Sequence, residues 1–412
     1  MIAYDYAKQG IAAQRMNNRF LRIYDMTEAE AIALLDKPSH ALEGEDVRYI
    51  AAAHLVNFNT PESRSALMRA VARKEEDLDN RIVRRKAAES LGRLQAKEAI
   101  PLLVECLAEK DRYLVENCVW ALGELHVQEE QILARIAALL TEEEQSHRVI
   151  IQTLRKLGYR QAVPQIRQFV DHSDPGVASA ALSALAVLEG NFTHFNRVID
   201  WMWHSNPMVR RMAIQDIIDA QYTAAIPLIA CAPVSLVFRV RGIKLLAEAN
   251  ALPKEQYQSY LEQCLIDHPS TLKLLHKYNE LPSLDRLIQD LYDTDFGKCY
   301  LATLTILQNY GAVAGARLVQ EFYAGEARSD YGAHYHVVKL IGWLQYQPGY
   351  DILIEALHNK QPQFQKSRAG AAISLGELGD KRAIPELEKY RHSPLWDLSY
   401  CAAMALQKLN GG

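Results

Sequence analysis

Between Arg328 and His336 the chain reads RSDYGAHYH. Seven of these nine side chains titrate or form hydrogen bonds: Arg328, Ser329, Asp330, Tyr331, His334, Tyr335 and His336. On a helix, Asp330 and His334 are i, i+4 neighbours, as are Tyr331 and Tyr335. A carboxylate beside an imidazole, with a phenol next to it, has the composition of a general acid–base pair. Ser329 is the expected N-cap of a helix running to about Gln345. That places Asp330 in the first turn, where the helix dipole favours a negative charge. Asp330, Tyr331 and His334 are therefore the candidate catalytic residues. The competing reading is a polar helix start with a solvated face.

Other chemistries find little support. No P-loop, GxGxxG, G-x-S-x-G or H-E-x-x-H motif occurs, and none of the 13 histidines is followed by Glu. The last point argues against an iron-dependent hydroxylase built on paired His-Glu motifs. Six cysteines are scattered without C-x-x-C spacing, so neither a zinc knuckle nor a redox motif is visible, and no metal site is expected. Lys and Arg total 46 against 50 Asp and Glu, a net charge of −4, which does not favour a nucleic-acid partner. The basic run RIVRRK fits the exposed side of a helix. No apolar run approaches membrane-spanning length and the N-terminus lacks an apolar signal segment, so a cytoplasmic protein without membrane insertion is expected.

The elements that must position these residues repeat. Leu91, Leu122, Leu154, Leu185 and Ile217 follow one another at 31, 32, 31 and 32 residues. The tripeptides Ala99-Ile100-Pro101, Ala162-Val163-Pro164 and Ala225-Ile226-Pro227 recur every 63 residues, and the pattern returns at Leu375, Ala383-Ile384-Pro385 and Leu406. A period near 31 with two apolar helical stripes predicts an all-α fold, an α-solenoid of HEAT-like helix hairpins, curved and with a concave groove. DHSDPGV (171–177) and HSNPMV (204–209) read as turn-and-cap segments. The periodicity divides the chain into an N-terminal helical cap (1–45), HEAT-like repeats (46–250), an irregular helical stretch that includes the candidate site (251–345), and C-terminal repeats (346–412). Helices of the VRR-AA-SLG type are expected to line the concave side. Polar or aromatic candidates for that groove include Trp201, Trp203 and His204. Trp201 and Trp203 cannot both face one way on a helix, and Arg210 has an alternative role in a ladder of ion pairs between repeats.

The copies RRKAAESLGRLQAKEAIPLLVECL and AGAAISLGELGDKRAIPELEKY resemble the HEAT-like repeats named after phycobilisome lyases. Most of the chain resembles the E/F-type phycobilin lyases of cyanobacteria, especially the single-chain members acting on the α subunit of phycoerythrin. The resemblance implies a lyase that attaches a linear tetrapyrrole, phycoerythrobilin, to a cysteine of a phycoerythrin α subunit, with isomerisation to phycourobilin. The bilin is a substrate, and no cofactor is implied. On this reading a carboxylate such as Asp330 meets the pyrrole N–H groups, Arg328, Arg210 or Lys339 meets the propionates, and Trp201, Trp203, Tyr331 and Tyr335 stack on the rings. The alternatives are a lyase without isomerase activity, or a non-catalytic HEAT adaptor that binds a protein partner.

Overall fold

The repeated Leu-Gly pair has a steric cause. A Cβ on Gly92 would stand 2.8 Å from Ala121 Cα, and one on Gly376 would stand 2.9 Å from Ala405 Cα. Each glycine faces a small residue of the next repeat, and this lets consecutive helices stack at close range. The leucine before each glycine, Leu91 or Leu375, is fully buried. The alanines that open the tripeptides (Ala99, Ala162, Ala225, Ala383) are buried as well, and the proline of each sits in the first turn of its helix, where its missing N–H leaves no bond unmade.

In this computed structural model, residues 26–38, 47–74 and 77–411 are described, and every regular element among them is helical. The expected N-terminal cap lies mostly outside the described residues. Within it, Glu28–Asp36 is a helix closed by a capping box between Thr27 and Glu30.

Two compact units divide the chain, Met1–Thr193 and His194–Gly412. Packing thus divides it at 193/194, whereas the boundaries at 45, 250 and 345 follow sequence periodicity. In the first unit the helices Leu78–Arg93, Arg112–Glu124, His147–Lys156 and Pro175–Glu189 stack in order, each with a shorter helix behind it. The second unit stacks Pro207–Asp219 on Leu236–Ala249, and Phe296–Asn309, Tyr331–Trp343, Gln365–Leu378 and Trp396–Asn410 on one another. Between these runs the period breaks. Gln258–Ile266 ends at Asp267, which adopts a left-handed backbone (φ 55°), and residues 272–283 carry no helix. Gln258–Ile266 also packs against the sequence-distant Gln365–Leu378 helix, and Tyr400 donates to Glu262 at 2.5 Å.

Six of these ten stacked helices share one start signal. Asp77, Asp111, Asp174, Asn206, Asp295 and Asp330 are N-caps whose side chains accept a backbone N–H two or three residues on. The cap at 206 precedes Pro207 and the cap at 174 precedes Pro175, as expected for those two segments.

Candidate functional site

Six helices of the second unit begin at one place. Pro207, Leu236, Phe296, Tyr331, Gln365 and Trp396 are each the first residue of a helix, and all six line a groove of about 870 Å3. Helix N-termini carry positive partial charge and favour anions. The side chains add to that field: Arg211, Arg241, Lys244 and Lys366 line the groove, against the carboxylates Glu248 and Asp397. None of the four cations makes an ion pair among the described residues. Arg241 donates to the Gln215 side-chain carbonyl at 2.8 Å, Arg211 lies over the Phe238 ring at 5.6 Å, and Lys244 lies over Trp396 at 4.4 Å. Elsewhere several arginines are matched by acids, as Arg85 with Asp111 and Arg317 with Asp285 and Glu321. Phe238, Phe296, Tyr331 and Trp396 supply aromatic surface to the same walls.

Lys366 differs from the other three. Its ammonium lies 4.1 Å from the centre of the Phe296 ring, 4.9 Å from Tyr335 and 5.4 Å from Tyr331. Burial pushes its pKa down to about 8, against the opposing pull of Asp267, Cys299 and Asp330.

Nearby in the interior, Asp267 joins three helices. Arg239 donates to its Oδ1, and the hydroxyls of Tyr300 and Tyr335 donate to its Oδ2 at 2.7 and 2.5 Å. All four residues are sealed from solvent. Burial works against the Arg239 charge, but the Asp267 carboxylate outweighs it and holds the guanidinium firmly protonated. Burial, then the same carboxylate, pushes both phenols well above their ordinary range, so they stay neutral donors.

The residues singled out from sequence fall in four different environments. Tyr331 lines the groove and is 55% exposed. Tyr335, expected to stack on a pigment ring, is instead buried as a donor to Asp267, with the Lys366 ammonium over its ring. Asp330, rather than Ser329, is the N-cap: its Oδ1 accepts from Gly332 N at 2.8 Å and Ala333 N at 2.7 Å. The side chains of Asp330 and His334 do not form the expected pair. The carboxylate turns back to cap its own helix, and the His334 ring is buried between Phe322 and Phe364, with Nδ1 unbonded. Burial, aided by Lys366 and Arg328, lowers its pKa to about 4 and keeps it neutral.

Three of the expected ligand contacts lie off the groove, and a fourth misses it by one position. Arg328 is exposed and paired with Glu355 at 2.7 Å. Trp201 and Trp203 occupy a short 3-10 turn, half-buried, beside Arg197 and under Lys273. Arg210 is fully buried, bonded to Asp295 at 2.5 Å and Pro233 O at 2.6 Å, so its role is the ion-pair ladder between repeats. Its neighbour Arg211 faces the groove, because one residue turns a helix by about 100°. Lys366, Lys244, Arg241, Phe238 and Trp396 were missed. The available signal was position: all but Lys244 lie in the first two turns of their helices, and Lys244 follows Arg241 by three residues on the same helix face.

Three cysteines of the second unit are held as neutral thiols. Burial pushes Cys264 to about 11 and Cys299 and Cys401 to about 12. No group of three or more potential metal ligands is found among the described residues, and no helix among them is long and apolar enough to cross a membrane.

Helix hairpins of this period define a HEAT-repeat protein, and the family models agree: HEAT repeats match residues 33–123 and 77–148, and the PBS lyase HEAT-like repeat matches 367–390. The chain is 50% identical to the uncharacterized phycocyanin operon protein Y of Pseudanabaena tenuis (strain PCC 7409), covering 95% of this chain and 94% of that one. It is 34% identical to the bilin biosynthesis protein CpeY of Synechococcus sp. (strain WH8020), covering 87% and 88%. Among solved structures, the complex of CpcE and CpcF of phycocyanin lyase from Nostoc sp. PCC7120 shares the fold, with a TM-score of 0.51 and 24% identity over 58% of this chain and 94% of that one. The chain belongs to the HEAT-repeat bilin lyase family.

Proposed function

We propose that this protein is a cytoplasmic bilin lyase that joins phycoerythrobilin to a cysteine of a phycoerythrin α subunit and isomerises the pigment to phycourobilin. The observation that carries the reading is the groove itself, which gathers four unpaired cations and four aromatic faces in a chain of this family. A linear tetrapyrrole presents matching chemistry. Its two propionates suit Arg211, Arg241 and Lys244, its flat rings suit Phe238, Phe296, Tyr331 and Trp396, and its pyrrole N–H groups suit Glu248 or Asp397. The groove also falls within the volume range of small-molecule sites.

The chemistry asks for a proton balance and for positioning. The acceptor thiol adds to the ethylidene group of ring A, and a proton reaches the tetrapyrrole. Isomerisation removes a proton at one carbon and returns one at another. No nucleophile on this chain and no cofactor is required, and the acceptor supplies the cysteine. Holding pigment and thiol together raises their effective concentration, which is a large part of the rate. Tyr331 keeps a direct place in this site. Asp330 acts as a positioning residue that fixes the first turn from which Tyr331 projects.

The test is co-expression with the α subunit and the enzymes that make phycoerythrobilin, followed by acid-urea absorbance of the purified subunit. Covalent pigment dependent on this chain is expected, with the band shifted to the blue by isomerisation. An unshifted band would remove the isomerase step and leave the lyase. A colourless subunit, with folded chain and bilin present, would favour the adaptor reading.

A further inference from the structure

A thiol adding to the ring A ethylidene group must lose one proton while a ring carbon gains one. The new bond joins sulfur to the exocyclic carbon, the carbon–carbon π bond breaks, and its electron pair takes up the proton. A single group that accepts the first proton and returns it to the carbon closes the balance with no other reactant. On the basis of the lyase reading above, we propose that Lys366 is this proton carrier: its neutral amine takes the acceptor thiol's proton, and the resulting ammonium delivers it to the bilin.

The placement of Lys366 is otherwise hard to account for. It is the second residue of the Gln365–Leu378 helix, where the dipole opposes a positive charge. It has no carboxylate partner and no hydrogen bond among the described residues. Three aromatic rings enclose its ammonium, and it lines the groove. Ring faces stabilise the cation, whereas burial and the helix end oppose it, so both protonation states are accessible near neutral pH. The charged and titratable groups around it are Asp330, Tyr331, His334, Tyr335 and His336 from the Tyr331–Trp343 helix, Cys299 from the Phe296–Asn309 helix, and Asp267. Burial holds both histidines neutral and pushes the Tyr335 phenol and the Cys299 thiol well up, which leaves Lys366 to exchange a proton there. The other groove cations do not qualify. Arg211 and Arg241 do not release protons, and Lys244 stacks on Trp396 without the enclosing cage. Lys339 is fully buried and does not reach the groove.

The experiment compares wild type with Lys366→Gln and Lys366→Arg, using purified chain, phycoerythrobilin and apo α subunit. Bilin binding is read from the absorbance change, covalent transfer from acid-urea absorbance against time between pH 6.5 and 9, and folding from circular dichroism. Wild-type transfer is expected to climb with pH through about 8. Lys366→Gln is expected to bind bilin within about threefold of wild type yet transfer it roughly 100-fold more slowly. Lys366→Arg is expected to be equally slow, since a guanidinium keeps its proton. Wild-type rates in the Arg variant would mean that a fixed charge suffices and would overturn the proposal, as would wild-type rates in the Gln variant. Wild-type protein that binds and transfers no bilin would overturn the lyase reading itself, an outcome visible before any variant is measured.

Discussion

Asp330 illustrates how one side chain can carry two readings. Its spacing to His334 suits acid–base chemistry, yet its Oδ1 is committed to Gly332 and Ala333. Asp330→Ala is expected to cost about 1 kcal/mol in urea titration and to slow bilin transfer by loosening Tyr331. Asp330→Asn, an equally good cap, should restore both. A slow but fully stable Asn variant would instead give the carboxylate charge a direct role. Lys339 makes a second residue-scale case. It is sealed from solvent without a hydrogen-bond partner for Nζ, and burial pushes its pKa from 10.5 down to about 8. The folded chain therefore binds this proton more weakly than the unfolded chain. The penalty is complete below pH 8 and is relieved as pH rises toward 10.5. Lys339→Met is expected to raise stability at pH 7 by about 2 kcal/mol, after the loss of its contact with Trp343 at 4.7 Å. The stability difference from wild type should shrink between pH 8 and 10, as measured by denaturant titration. A difference that does not change with pH would mean that Lys339 keeps its proton in the folded chain across this range, as it does in the unfolded one.

At the scale of elements, the repeat was legible because its causes are local. The Leu-Gly pair, the Ala-Ile-Pro tripeptide and the Asp cap each lie within one hairpin. The site was not legible, because its connections are long. Asp267 meets Arg239, Tyr300 and Tyr335 from 28, 33 and 68 residues away, and it does so where the 31-residue period is lost. Tyr335 therefore read as a ring for stacking, and His334 as a base. Both are interior residues of a helix that the preceding polar stretch made look solvated. Asp267→Ala would leave the Arg239 guanidinium buried without its counter-charge and strand two phenols, at a cost of about 3–5 kcal/mol. Adding Arg239→Met to that variant should recover part of the loss, because the unpaired buried charge is removed while the two phenols stay without their acceptor. Stability equal to wild type in the single variant would show that water reaches this cluster. Gly342 tests the stacking rule in the same unit: its Cβ would stand 2.6 Å from Ser374 Cα, so Gly342→Ala is expected to cost about 1–3 kcal/mol.

For the whole molecule, charge is distributed against the average. The chain carries 50 acidic and 46 basic residues, yet the groove holds four cations and two carboxylates where six helix N-termini meet. Cations left without partners in an acidic protein raise the local concentration of an anionic ligand and orient it. Bilin affinity should accordingly weaken with salt, since screening at 0.5 M shortens electrostatic reach to a few ångströms. The variant combining Arg211→Gln, Arg241→Gln and Lys244→Gln is expected to bind phycoerythrobilin about tenfold more weakly at low salt, or about 1.4 kcal/mol. Its Kd should be nearly flat between 0.05 and 0.5 M NaCl, whereas the wild-type Kd rises across that range. Lys366 is left intact in this variant, so transfer at saturating bilin should persist. The two roles of the groove, holding the propionates and moving a proton, would then separate into Kd and rate. Loss of transfer at saturation would place the proton chemistry among the outer cations, and a wild-type salt dependence in the triple variant would place the propionates elsewhere.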